Sequence, residues 1–148
     1  MTEFRLNQLS SGSKIIIVSF FILIFFGLSL SMNTASKTVK WRIEKAKTLG
    51  VKYDSFFDED DKILHFKDAH VHLFGHSLIF ITVASFFFFT NAKERNKVIA
   101  GVLMAITLIV HTYALINIII PIEIVAMIIY TAILAYMMIC SVIAMYKR

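Results

Sequence analysis

Residues Ala69–Thr90 have the sequence AHVHLFGHSLIFITVASFFFFT, and the fold class follows from them. This stretch contains no Asp, Glu, Lys or Arg, and its 22 residues match the roughly 20 that a helix needs to cross a bilayer core of about 30 Å. A strand of this composition would leave backbone groups unpaired in lipid, whereas a helix pairs them internally. The stretch therefore predicts a membrane-spanning helix.

Three further apolar runs of similar length accompany this one. Of the 148 residues, 58% are hydrophobic and the mean hydropathy is +0.76, above the roughly 45–50% apolar content of soluble domains. The chain is therefore predicted to be all-α, an integral membrane four-helix bundle forming a single domain over residues 1–148. The predicted spans cover residues 14–32, 69–90, 98–117 and 122–146.

The first run has two interpretations. Arg5 and Lys14 precede its apolar stretch, which is also the pattern of a secretory signal peptide. The run is long for a signal peptide, and no small-x-small cleavage site stands out, so a retained membrane anchor is favoured.

The connections differ in length. Residues 91–97 (NAKERNK) form a short charged turn, and Pro121 is well placed at the start of the last helix. Short turns make the last three helices antiparallel neighbours. The long connection, residues 33–68, begins with an amphipathic segment that contains Trp41 and ends at Gly50. This connection is predicted to form an interfacial helix and a loop on the outward side of the membrane. The alternative is that its helix is a solvated linker.

The placement of the basic residues predicts the orientation, whereas their number does not decide it, because the 33–68 loop itself carries eight Lys and Arg. Both termini and the 91–97 turn carry Lys or Arg close to helix ends, where the positive-inside rule is strongest. Both termini are therefore expected in the cytoplasm, and the 33–68 loop outside. The formal charge of +5 is thus a topology signal, and no motif indicates a nucleic-acid partner.

Histidines collect at the outward end of the predicted bundle. His72 and His76 are four residues apart and share a helix face. His111 is about as far after the 91–97 turn as they are before it, so antiparallel packing brings it to their depth. His70 points largely away from that face, and Glu123 lies at the same membrane end.

Ionisable groups are costly inside a membrane, so they mark function by default. Two chemistries fit: a b-type haem held through His72, His76 and His111, or a zinc, copper or iron ion to which His70 and Glu123 also contribute. Cys140 is the single cysteine, so a Cys-based zinc site and covalent c-type haem are excluded. The contrasting interpretation is an accessory or structural protein whose histidines bond to water at the interface.

The segment HVHLFGHSLIF, residues 70–80, resembles the HxHLFGxSLIF second-helix motif of a family of small bacterial four-helix membrane proteins, often mislabelled elongation factor-1 alpha. The resemblance implies a respiratory electron-transport context in the bacterial inner membrane, with other respiratory subunits or a quinone as partners. The motif's two aligned histidines are His70 and His72, which differs from the pair chosen by helix geometry.

A second segment, DKILHF at residues 61–66, resembles the DKxxHF motif of the VanZ-like family. That resemblance implies a small membrane protein acting at the cell envelope. The later acidic and arginine-bearing segment of that family has no counterpart after residue 98.

Overall fold

Almost all of the described residues are helical. A computed structural model describes residues 5–50, 59–117 and 119–147. After a short 3-10 turn, Leu6–Gln8, the helices are α1 (Ser11–Leu49), α2 (Glu59–Phe88), α3 (Glu94–Ile116) and α4 (Ile120–Tyr146). Each has a stretch long and apolar enough to cross a membrane: Ser11–Asn33, Phe66–Phe88, Glu94–Ile116 and Ile120–Tyr146. These confirm the predicted all-α four-helix architecture, with span ends within a few residues of those predicted.

Helix α1 corrects the prediction of a separate interfacial helix. It runs unbroken for 39 residues, through the point after residue 32 where the sequence was predicted to leave the membrane. No Gly or Pro lies between residues 33 and 49, so nothing local ends the helix there. It ends at the predicted glycine, Gly50, whose φ of 69° is left-handed and whose N–H donates to the carbonyls of Ala46 and Lys47.

The turn between α2 and α3 is shorter than the predicted 91–97 segment, because α3 already begins at Glu94. The ammonium group of Lys97 donates to the carbonyl of Phe88 at 2.7 Å, and the Thr90 hydroxyl donates to the carbonyl of Phe87 at 2.7 Å. Both bonds satisfy carbonyls that the end of α2 leaves without helical partners. The Lys97 bond ties α3 to the end of α2, whereas the Thr90 bond is local to that end.

The core lies between the last three helices. Helices α3 and α4 form the most extensive pair, α2 packs against both, and α1 makes fewer contacts, chiefly with α4. As predicted, Pro121 lies in the first turn of α4. Side chains that are at most 2% exposed fill the centre: Val83, Phe87, Met104, Tyr130, Leu134, Met137 and Met145.

The outer faces of the same helices are apolar and exposed, as a surface in contact with lipid must be. Phe25 and Phe26 on α1, Ile109 on α3, and Ile128 and Ile139 on α4 are each more than half exposed. Lipid is as apolar as these side chains, so their exposure costs nothing in a membrane. The protein is therefore a membrane protein that contacts the bilayer on all four helices.

Candidate functional site

Three imidazoles meet where α2 faces α3. We refer to His72, His76 and His111 as the histidine triad. One ring nitrogen from each lies within 4.8 Å of the others. The ring centroids are 5.4 Å apart for His72 and His76, 6.1 Å for His72 and His111, and 5.7 Å for His76 and His111. The expected juxtaposition of the two helices is therefore observed.

Tyr130 of α4 also contacts the triad. Its ring stacks on His76 at 5.0 Å, with 20° between the planes, and the ring of His111 is likewise nearly parallel to His76, with 19° between the planes. The Tyr130 hydroxyl donates to the backbone carbonyl of His76 at 2.9 Å. His76, which is part of α2, is thus held in position by contacts with both α3 and α4.

Two of the three imidazoles are buried, and the triad is short of hydrogen bonds. His76 is 7% exposed and His111 4% exposed, whereas His72 is half-buried. Among the described residues, Nδ1 of His72, Nδ1 of His76 and both ring nitrogens of His111 have no partner at hydrogen-bond geometry, and the backbone of Glu123 lies beside His111 without completing such a bond. Leaving a buried polar group unpaired costs about 1–3 kcal/mol, and the membrane supplies no water to relieve it. A hydrogen-bonding group or an ion that pairs with these ring nitrogens would therefore stabilise the triad.

The spacing of the triad suits a single ion. Imidazole nitrogens bind zinc at about 2.0–2.1 Å, which places three of them about 3.4 Å apart on a tetrahedral ion. The observed separations, up to 4.8 Å, require only small side-chain rotations to reach that distance. A haem would suit the triad less well, because a porphyrin held between two imidazoles would need the helices further apart. The rings of His76 and His111 are nearly parallel with centroids only 5.7 Å apart, and Tyr130 also stacks on His76.

Two of the predicted ligands lie outside this group. His70 is exposed and packs on Phe74, one turn along α2, with ring centroids 5.3 Å apart. Glu123 is half-buried in the first turn of α4, but its carboxylate is not among the converging ligand atoms of the described residues. The side chain of His65 falls outside the described residues.

Tyr130 was missed by the sequence analysis, which singled out histidines and carboxylates. Its position could have been predicted in the same way as that of His111, by comparing distances from a short turn along two antiparallel helices. Tyr130 follows the α3–α4 turn by about one helical turn more than His111 precedes it, which places it just beneath the triad. A tyrosine there supplies a buried donor whose hydroxyl needs a partner.

We expect Tyr130→Phe to destabilise the bundle modestly while preserving its fold. The substitution keeps the ring that stacks on His76 and removes only the hydroxyl bonded to its carbonyl. Hydrogen bonds between membrane helices average about 0.6 kcal/mol, so the loss should be of that size. Unfolding by sodium dodecyl sulfate in mixed micelles measures it. A loss above about 2 kcal/mol would mean that the hydroxyl supports more than this one bond.

Comparison with known proteins identifies the last three helices. The profile of a family described as a transmembrane helical domain matches residues 64–148, more than half of the chain. The chain belongs to this family. The matched part of this transmembrane helical domain includes α3, α4, nearly all of α2, and the complete triad with Tyr130. No curated protein and no solved structure matches the chain.

The family description supports a membrane protein and states no activity. The respiratory context implied by the HxHLFGxSLIF motif, and the VanZ-like resemblance, therefore stay predictions. Of the DKILHF segment, only Phe66 has a described side chain, and it is 62% exposed.

Proposed function

We propose that the protein is a small membrane subunit of electron transport that holds a redox-active metal ion in the histidine triad. The observation that carries this proposal is the convergence of His72, His76 and His111, of which two are buried, with four ring nitrogens that have no partner at hydrogen-bond geometry among the described residues. Three protein ligands leave a fourth position open on the ion. When bound, such an ion supplies reversible one-electron chemistry. The protein's own part is to orient the imidazoles and exclude water.

The charge of the site favours copper among the metals that imidazole binds. The triad contributes three neutral ligands, so the charge of the ion is not compensated within it. Charge inside a membrane is costly, and a monovalent ion carries less of it than a divalent one. Imidazole suits copper, iron and zinc, but zinc has no redox chemistry. Copper, cycling through its monovalent state, therefore meets both requirements, with iron second.

Metal analysis of the purified full chain tests the proposal. Copper or iron approaching one ion per chain supports it, and electron paramagnetic resonance of the oxidised copper form should show nitrogen coordination. Zinc at that ratio would indicate a structural ion and remove the electron-transport function. A haem absorption band would replace the ion by the b-type haem. Metal and haem both absent after reconstitution would leave the accessory-protein interpretation.

Glu123→Gln should leave metal binding within about threefold of wild type. The carboxylate is not one of the converging atoms, and outer partners that do contact ligands typically change affinity by 10–100-fold. Competition with a chromogenic chelator measures the affinity. A hundredfold loss would return Glu123 to the ligand set.

The proposed location is the inner membrane of a bacterium, with both termini in the cytoplasm. Reporter fusions after Arg148 and at Gly50 should therefore report opposite sides of the membrane, since α1 places its far end across the bilayer from the 3-10 turn. The fusion at Arg148 should be active only as a cytoplasmic reporter. The opposite pattern would invert the protein, and equal accessibility would contradict four spans.

A further inference from the structure

A small pocket lies where the turn between α2 and α3 meets the end of α4. Its volume is about 260 Å³, and its polar lining is Thr90, Asn91, Asn96, Tyr136 and Lys147. We refer to it as the turn pocket. It lies at the opposite end of the bundle from the triad, because Phe88, the last residue of α2, follows His76 by 12 residues. That separation is about 18 Å along the helix at about 1.5 Å per residue.

The turn pocket adjoins an apolar groove that faces lipid. The groove lies between α3 and α4, has a volume of about 360 Å³, and shares Asn96 and Tyr136 with the pocket. We refer to it as the α3–α4 groove. Ile99 and Leu103 in its wall are 44% and 46% exposed, so it is open to the bilayer. An occupant of both spaces therefore has a polar end at the turn and an apolar chain along α3.

The turn pocket presents hydrogen-bond donors that lack acceptors. Among the described residues, the ammonium group of Lys147 and the side-chain amide of Asn91 have no hydrogen-bond or ion-pair partner, and both residues are exposed. The side chain of Asn96 lies beside the Tyr136 hydroxyl, where the pocket meets the groove. Ammonium and amide N–H groups are donors that the oxygens of a phosphate accept.

The charge around the turn pocket favours an anionic ligand. Besides Lys147, four basic residues lie in the turn, in the first turn of α3 or beside the end of α4: Lys93, Arg95, Lys97 and Lys14. Glu94 is the one acid among the described residues there, and it already pairs with Lys97 at 3.7 Å. The ammonium group of a zwitterionic lipid would find no free carboxylate, whereas an anionic head group would meet basic partners. Basic pockets between membrane helices bind anionic lipid head groups in this way.

We propose that the turn pocket and the α3–α4 groove together bind one anionic phospholipid. Its phosphate lies in the pocket, where Lys147 and Asn91 donate to the phosphate oxygens, and one acyl chain lies in the groove against Ile99 and Leu103. A free phosphate ion would leave the groove empty, and an uncharged lipid would leave the ammonium group of Lys147 without an acceptor. The site is independent of the metal proposed for the triad.

Two pairs of variants separate the pocket from its surroundings. Lys147→Gln removes the charge that lines the pocket, and Lys93→Gln removes the same charge from the same end of the bundle without lining it. Ala132→Leu fills the groove, and Ala105→Leu adds the same side chain to the lipid-facing surface outside it. All four positions are exposed, so each variant should fold.

The test is a titration of the full chain in dodecyl maltoside micelles with phosphatidylglycerol, followed by native mass spectrometry, which resolves each bound lipid. At an ionic strength of about 0.15 M, charges more than about 8 Å apart are largely screened. Wild type should bind one phosphatidylglycerol at least about fivefold more tightly than phosphatidylethanolamine with the same acyl chains. Lys147→Gln should lose about fivefold, equivalent to the roughly 1 kcal/mol of one basic residue near an anionic surface. Ala132→Leu should lose at least about threefold, and both controls should stay within about twofold of wild type.

Four outcomes would overturn the proposal. Equal binding of the two lipids would remove the preference for an anion, and equal weakening by Lys147→Gln and Lys93→Gln would mean diffuse attraction to a basic surface. Displacement of the lipid by an equal concentration of inorganic phosphate would remove the acyl chain from the site. A dimer without bound lipid would assign the groove to a second copy. His111→Ala should bind phosphatidylglycerol as wild type does, so loss of the metal site and loss of the lipid site are measured separately.

Discussion

His111→Ala is expected to lose bound metal, with an affinity at least about a hundredfold below wild type. His111 is the ligand that α3 contributes, and the remaining pair, His72 and His76, lies on α2 alone. Even outer partners of metal ligands typically cost 10–100-fold when removed, so loss of a direct ligand should cost at least the upper end of that range. Metal content after dialysis against a weak chelator, compared with wild type, measures the effect.

His70→Ala is the matched control for this variant. His70 lies two residues from His72 on the same helix, but it is exposed and packs on Phe74 instead of the triad. The His70→Ala variant should keep its metal, although His70 and His72 are the two histidines of the HxHLFGxSLIF motif. Helix content by circular dichroism should be unchanged in both variants. If His70→Ala loses the metal and His111→Ala keeps it, the site follows the motif and the triad is only a packing arrangement.

Leu134→Ala is expected to cause the largest loss of stability, about 2 kcal/mol. Leu134 is fully buried at the centre of α4. In lipid, exposing an apolar side chain on unfolding carries no hydrophobic cost, so the expected loss is the cavity contribution alone. Removing about 80 Å³ at about 24 cal/mol per Å³ gives about 2 kcal/mol. Unfolding in mixed micelles of phospholipid and sodium dodecyl sulfate measures the change.

Ile128→Ala on the same helix separates packing from helix propensity. Ile128 is 53% exposed toward lipid, so its loss leaves no cavity, and alanine is the better helix former. The variant should unfold within about 0.5 kcal/mol of wild type. Equal losses at both positions would mean that the exposed face of α4 is covered in the assembled protein.

The spans were predictable because each is a local property of about 20 residues. The amphipathic segment after residue 32 was predicted to be a separate helix, whereas α1 continues through it to Leu49, since falling hydropathy marks where a helix leaves the membrane and not where it ends. Only a residue such as Gly50 marks a helix end. The depth of His111 in the bundle was predictable because the turn between α2 and α3 is short. Residues equidistant from a short turn lie at the same depth on the two antiparallel helices.

The rest of the site depends on contacts that are distant in sequence. The stacking of Tyr130 on His76 joins residues 54 apart, and no local pattern encodes the rotation of α4 that produces it. Helix-face geometry did separate His72 from His70, which the family motif alone could not do.

Because α1 is one continuous helix, movement of its membrane-spanning part is transmitted to its end outside the membrane. The 16 residues beyond its membrane-spanning part, 34 to 49, reach about 24 Å at 1.5 Å per residue. Because the rod has no hinge along that length, a tilt of about 10° within the bilayer displaces its tip by roughly 4 Å. A contact made at the far end of α1 therefore also moves its membrane-spanning part against α4, the helix that it chiefly contacts.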